Sequence, residues 1–450
     1  MENKLMFSDK ALSRLILPLI MEQLLTVTVG MADVVMVSAA GETAVSGVSL
    51  VDSINVLLVN LFAALATGGS VVCARYLGQK NREKACVAAN QLLISVLLVS
   101  SILAAIALAG NSLILHIIFG KVEKEVMQAA EIYFYLTAAS YPFLAAYNGG
   151  AALCRTMGNS RLSMNTSFII NVLNIVGNAL FVFVFQMGAA GVGLSTFLSR
   201  LVGSVIMIYV VRNPDLLLHI HPKLKFRFHW KTIKEILQIG IPNSLENSVF
   251  QIGKLMVQNL IASFGTTAIA ANAVTGTLAS FGVIPGSAVS LALITVVGQA
   301  VGAGKYDEAK KYIVKLLKVA HIVMAALNLL LILFCPQIVS FYKLSPEASK
   351  LAVQLTILHS ICCVVIWPES FSLPNALRAS NDAKYTMVIS LLSMWLCRIA
   401  LSYYFGRNLG MGVIGVWAAM VCDWVVRAIC FIYRIKSGKW MKTKIEKVNA

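Results

Sequence analysis

Two stretches of this 450-residue chain carry oxygen-bearing side chains along one face of an otherwise apolar helix. In the first, Glu22, Thr26 and Asp33 fall within about 40° of one another at 100° per residue, so they share a face. In the second, Asn171, Asn174 and Asn178 recur at i, i+3 and i+7. A carboxylate in apolar surroundings can take up a proton or a hard cation, and amide oxygens can complete the shell of that cation. The same three amides can equally serve as packing glue, bonding across to neighbouring helices. An intramembrane acid can likewise be one half of a structural ion pair. The cost of an uncompensated charge at helix centre, about 2.5 to 3.5 kcal/mol on insertion scales, requires that Asp33 have a wet cavity, a ligand or a partner.

The elements that position these residues are membrane helices. The chain is 58% hydrophobic and 13% charged, with a mean hydropathy of +0.79, well outside the balance of soluble domains. Apolar stretches long enough to cross a bilayer number twelve: 12–37, 48–74, 87–109, 128–152, 163–186 and 189–211, then 236–263, 270–300, 313–334, 350–375, 385–406 and 411–433. The two sets of six are copies. Residues 17–85 read against 241–309 without a gap match Pro18 and Glu22 to Pro242 and Glu246; Gly41, Thr43 and Ala44 to Gly265, Thr267 and Ala268; Gly78 and Ala85 to Gly302 and Ala309. An even number of crossings per copy returns the chain to its starting side. The expected fold is therefore an all-α integral membrane protein, two six-helix bundles related by a pseudo-two-fold along the membrane normal. The expected divisions are 1–211 and 235–433 for the lobes, 212–234 for a basic linker and 434–450 for a basic tail. The register match also argues that the first apolar segment is a retained helix and not a signal peptide.

The net charge of +17 reports orientation and not nucleic acid. Alternate connections hold the excess: 75–84 has four basic residues against one acidic, 212–235 six against two, and 434–450 six against one. The intervening loops are nearly neutral. By the positive-inside rule both termini and the linker lie in the cytoplasm of a cell-membrane protein, with the basic surfaces against anionic lipid heads. The nine cysteines lack C-x-x-C spacing, and His219, His221 and His229 in the linker have no accompanying ligand set, so neither a disulfide framework nor a structural metal is expected. No G-x-x-x-x-G-K-[ST], H-E-x-x-H or G-x-S-x-G motif is present, which weighs against ATP-driven transport and against an enzyme.

Residues that differ between the copies are the candidates for specific function. Asp33 has Val257 as its counterpart and Lys254 has Gly30, whereas Glu22 and Glu246 are shared. Glu22, Glu246 and Lys254 are candidate cavity or gating residues. Asp423 and Arg427, at i and i+4, are expected to pair; Arg200, Arg398 and Glu369 are deep in their spans and have no assigned role.

The stretch P-L-I-M-E with G-M-A-D-V-V-M-V downstream, the N-x-x-x-N of the fifth span and the six-plus-six repeat resemble the multidrug and toxic compound extrusion (MATE) family of prokaryotic transporters. The resemblance implies that Asp33, Asn174, Asn178 and Thr196 line a cation-coupling site in the N-terminal lobe. Some members carry a second carboxylate where this chain has Asn178, and a seventh-helix Glu used in another branch does not coincide with Glu246. The implied activity is alternating-access antiport, by a single chain without cofactor, of amphipathic and often cationic organic compounds against Na⁺ or H⁺. The one-carboxylate oxygen shell favours Na⁺. The alternative is a lipid-linked oligosaccharide flippase of the same superfamily, whose diphosphate cargo calls for several cavity Arg or Lys residues.

Overall fold

The computed structural model describes residues 6–120, 122–220 and 228–442, and every regular element among them is helical. His221 of the linker and the 443–450 end of the basic tail lie outside the described residues. The chain divides into two compact units, Asp9–Ser244 and Leu245–Ala450, the latter including Met1–Ser8.

The first unit begins with α1 (Asp9–Ser38), α2 (Glu42–Gly78) and α3 (Arg82–Ala109), followed by the short α4 (Asn111–Phe119). With no water in a bilayer core, each of these apolar runs satisfies its backbone groups internally, which makes helix the only open conformation for them. A cap fixes the start of α3: the Asn81 side chain accepts from the Lys84 N–H at 3.0 Å. The expected span at 128–152 is two helices, α5 (Lys124–Ala139) and α6 (Tyr141–Thr156), meeting at Ser140. Pro142 explains the division, because it cannot donate to the carbonyl of residue 138 and its ring crowds that carbonyl. Then come α7 (Ser160–Asn178), a π-helical turn at Ala179–Val184, α8 (Gly188–Val211), and the first turns of α9 (Trp230–Ala262). Small residues allow close approach: a Cβ on Gly68 of α2 would lie 2.6 Å from the Ile236 carbonyl of α9. The linker does more than join. Arg82 donates to the carbonyls of Pro214, Leu216 and Leu217 at 2.8, 2.9 and 3.3 Å, and Leu218 and Ile220 are fully buried.

The second unit holds the rest of α9, α10 (Thr266–Gly282), α11 (Ile284–Gly302), α12 (Tyr306–Leu333), α13 (Cys335–Ser340) and α14 (Pro346–Trp367). A π-helical turn at Pro368–Ser372 leads into α15 (Leu373–Ala379). After α16 (Ala383–Ser393), further π-helical turns at Met394–Ala400 and Tyr404–Asn408 flank α17 (Leu401–Tyr403), and α18 (Gly412–Lys436) closes the unit. Among the described residues ten helical segments are long and apolar enough to span a membrane. The other two of the twelve spans are the α5–α6 pair, divided at Ser140, and α9, whose lysines and glutamates dilute its hydropathy.

The repeat is written in the backbone as well as in the letters. Left-handed residues recur 224 positions apart: Gly41 and Gly265 at φ 97° and 98°, Lys80 and Gly304 at 57° and 72°, Gly188 and Gly412 at 56° and 58°. Gly41 and Gly265 each sit just before a helix, where a side chain would be strained. The π-helical turn at 179–184 has its counterpart at 404–408.

The shared glutamates make the same contact in each copy. Glu22 accepts from Arg155 at 3.0 Å and from the Ser163 hydroxyl at 2.7 Å. Glu246 accepts from Arg378 at 2.7 Å and from Ser390 at 2.6 Å. Each glutamate is at most 7% exposed, so each cluster is a buried clamp between three helices. Breaking such a pair strands a charge at about 3 to 5 kcal/mol.

Candidate functional site

In the first unit, Asp33 of α1 faces the end of α7. The Asn178 amide nitrogen donates to one carboxylate oxygen at 2.9 Å. One helical turn earlier, the Asn174 amide sits over the same carboxylate. With its nitrogen turned toward Asp33, it donates at 2.8 and 3.1 Å, and its oxygen then faces the hydroxyls of Ser195 and Thr196 on α8, each 3.5 Å away. Asn178 is fully buried, and its carbonyl oxygen has no hydrogen-bond partner. Among the described residues Asp33 forms no ion pair. It is a carboxylate held by neutral amides, next to an idle buried oxygen, which is a donor set suited to a hard cation.

The polar stripes predicted from spacing only partly converge. Asp33, Asn174, Asn178 and Thr196 come together. Glu22 is committed to its clamp, the Thr26 hydroxyl bonds the Glu22 backbone carbonyl of its own helix at 2.9 Å, and Asn171 bonds Ser167 at 3.4 Å.

A second polar cluster in this unit was not anticipated. Asp52 of α2 accepts from the Tyr133 hydroxyl at 3.0 Å and from Asn55 at 3.2 Å, and Tyr141 donates to Asn55 at 2.9 Å. Arg200 of α8 donates to the Ser140 hydroxyl at 2.8 Å, at the break between α5 and α6. From there it acts electrostatically on both Asp52 and Asp33. The comparison that singled out Asp33 applies to Asp52 as well, since its counterpart is Gly276. The signal was present in the repeat.

In the second unit, Asp423 of α18 pairs with Arg427 at 2.9 Å as the i, i+4 spacing predicts, and also meets Arg398 at 3.4 Å. Glu369 pairs with His321 at 2.7 Å. A cavity of about 600 Å³ is lined by Phe250, Lys254, His359, Trp367, Phe371 and Arg398 among others. Lys254 thus reaches a cavity, whereas Glu246 is not part of its lining. Among the described residues no group of three or more His, Cys, Asp or Glu could hold a structural metal, and the His219 ring lies 3.7 Å from the Cys86 sulfur.

The MatE family model matches the chain twice, over residues 18–180 and 240–404, once in each copy of the repeat. An uncharacterized transporter of Bacillus subtilis, YisQ, is 26% identical over 94% of this chain and 93% of its own length. A probable multidrug resistance protein NorM of Thermotoga maritima is 26% identical over 97% of this chain and 94% of its own. A solved structure of MATE in complex with MaL6 superposes with a TM-score of 0.90 at 21% identity, covering 96% of this chain and 97% of that one; this likeness speaks to the fold. The chain belongs to the MatE family and is a multi-pass membrane transporter, not an enzyme.

Proposed function

We propose that this MatE-family chain is a cell-membrane antiporter that exports amphipathic organic compounds in exchange for a cation, with Asp33, Asn174, Asn178 and Thr196 as the coupling site. The observation that carries the reading is the seat of Asp33: a carboxylate bonded by two amides, beside the buried, unpartnered oxygen of Asn178. The Asn174 amide can turn either end to the carboxylate. Its nitrogen suits an empty, ionised Asp33, and its oxygen suits Asp33 that has gained Na⁺ or a proton. Occupancy therefore rearranges hydrogen bonds between α1, α7 and α8, which is the differential interaction that coupling demands. The charge pattern supports placing both termini and the linker in the cytoplasm.

The neutral oxygens of Asn174, Asn178 and Thr196, recruited to one carboxylate, would favour Na⁺, since a proton needs Asp33 alone. The test is efflux of two amphipathic dyes of opposite charge from vesicles containing the purified chain, under an imposed Na⁺ or pH gradient. Gradient-dependent efflux of at least one dye, lost in Asp33→Asn, is expected; efflux indifferent to every cation gradient overturns the reading.

A further inference from the structure

The expectation of cationic cargo assumes a cavity that attracts cations, and the cavity of the second unit does not. Among the described residues its lining contains no Asp or Glu, while Lys254 of α9 and Arg398 of the Met394–Ala400 turn both face it. Lys254 has no hydrogen-bond or carboxylate partner among the described residues, and Arg398 is near enough to repel it. Arg398 has to share Asp423 with Arg427, which holds that carboxylate at the shorter distance. Two guanidinium groups thus divide one negative charge and the Lys254 ammonium has none, leaving two positive charges unbalanced around the cavity.

The walls are aromatic: Phe250, Trp367, Phe371, Trp417 and Trp424 line it, with Trp367 stacked on Phe371 at 5.1 Å between ring centroids. Such walls suit an organic cation when their π faces are free. Here the protein's own cations take two of them. Arg398 lies 5.0 Å from the Phe250 centroid, and Arg427 lies 5.7 Å from Phe250 and 5.2 Å from Phe371. An incoming cation meets positive charge and engaged rings. A flat aromatic anion meets an unpaired ammonium at one side and apolar ring surface elsewhere.

We propose that this cavity is a cargo site for amphipathic aromatic anions, fused-ring sulfonates or carboxylates, with Lys254 as the residue that sets cargo charge. The assignment as cargo rests on the reading of the chain as an exporter, but the binding does not depend on any ion gradient. About 600 Å³ accommodates a molecule of two or three rings. It is small for a polyprenyl chain, which sets this site apart from that of a lipid-linked oligosaccharide flippase.

The test is calorimetric titration of the detergent-purified full-length chain with 2-naphthalenesulfonate and 2-naphthyltrimethylammonium, which share one ring system and carry opposite charges. The sulfonate is expected to bind at least about tenfold more tightly, a discrimination that like-charge repulsion readily supplies. Lys254→Gln should weaken that preference and Lys254→Glu should erase most of it. Because Lys254 has no partner to strand, both variants should elute as the wild type does on size exclusion. Equal or tighter binding of the ammonium compound overturns the proposal, as does absence of binding by either, or a preference unmoved in Lys254→Glu. Tighter binding of farnesyl diphosphate than of the sulfonate overturns it in favour of an isoprenoid diphosphate. If the sulfonate binds as expected but no cation gradient drives efflux, the cavity assignment stands and the antiport reading fails; gradient-driven efflux without this binding has the opposite meaning.

Discussion

Asn178 donates its amide N–H to Asp33 at 2.9 Å while the oxygen of the same amide stays buried and unpartnered. One side chain therefore stabilises the carboxylate and keeps a second polar atom without a protein partner. Leaving a buried acceptor idle costs about 1 to 3 kcal/mol, and a bound cation would recover that cost.

Asp33→Asn should abolish gradient-driven efflux and leave membrane insertion and detergent stability near normal. Asp33 is bonded by amides and not by an arginine or lysine, so the substitution strands no charge. Efflux under an imposed gradient, alongside thermal unfolding of the purified variant, checks both halves. Normal efflux from a well-inserted variant would contradict the assignment; a protein that fails to fold would show that Asp33 is a structural group instead.

Glu246→Gln should lower stability without altering cation dependence, and Glu22→Gln should do the same in the other copy. Glu246 neutralises the buried Arg378 and Glu22 the partly buried Arg155, and removing one partner of a buried pair costs about 3 to 5 kcal/mol. Thermal unfolding in detergent should show a large loss for Glu246→Gln and partial recovery when Arg378→Met is added. A changed Na⁺ requirement in a variant of wild-type stability would return these residues to a gating role.

Asp52→Asn should raise the Na⁺ concentration needed for half-maximal efflux. Arg200 acts on both Asp52 and Asp33, so removing the Asp52 charge turns more of the guanidinium's field onto Asp33 and opposes a bound cation. Unchanged Na⁺ dependence in the variant would show that the Asp52 cluster serves packing alone.

Reporter fusions at either terminus should give a cytoplasmic signal in an active protein. An external signal would overturn the orientation drawn from loop charge.

Much of this was legible before the structure. Spacing alone placed Asp33 and the asparagines on helix faces, and the offset of 224 residues matched Glu22 to Glu246 and Gly41 to Gly265 without showing that the first pair would form clamps or the second left-handed turns. Hydropathy gave the spans but not their breaks, because a proline such as Pro142 marks a possible division without saying whether neighbouring side chains will satisfy the freed carbonyl. Partnerships across helices were the least accessible. Nothing in the order of residues says that Arg200 lands on Ser140, that Glu369 meets His321, or that Arg427 outcompetes Arg398 for Asp423, since these depend on helix rotation and depth. Asp52 is different: the comparison of copies pointed to it, and its position near the start of an apolar run hid it.

Binding of the coupling cation by Asp33 and its amides is tested most directly by the cation dependence of efflux at clamped membrane potential. In wild type, Na⁺ gradients should drive efflux. In Asn178→Ala, the half-maximal Na⁺ concentration should rise about tenfold, since a hydrogen-bonding ligand to a charged group is worth about 1.5 kcal/mol, while any proton-driven component changes less. Proton-driven efflux that ignores Na⁺ and is unchanged in Asn178→Ala would contradict the account, leaving the amide stripe as packing and Asp33 as a proton site alone.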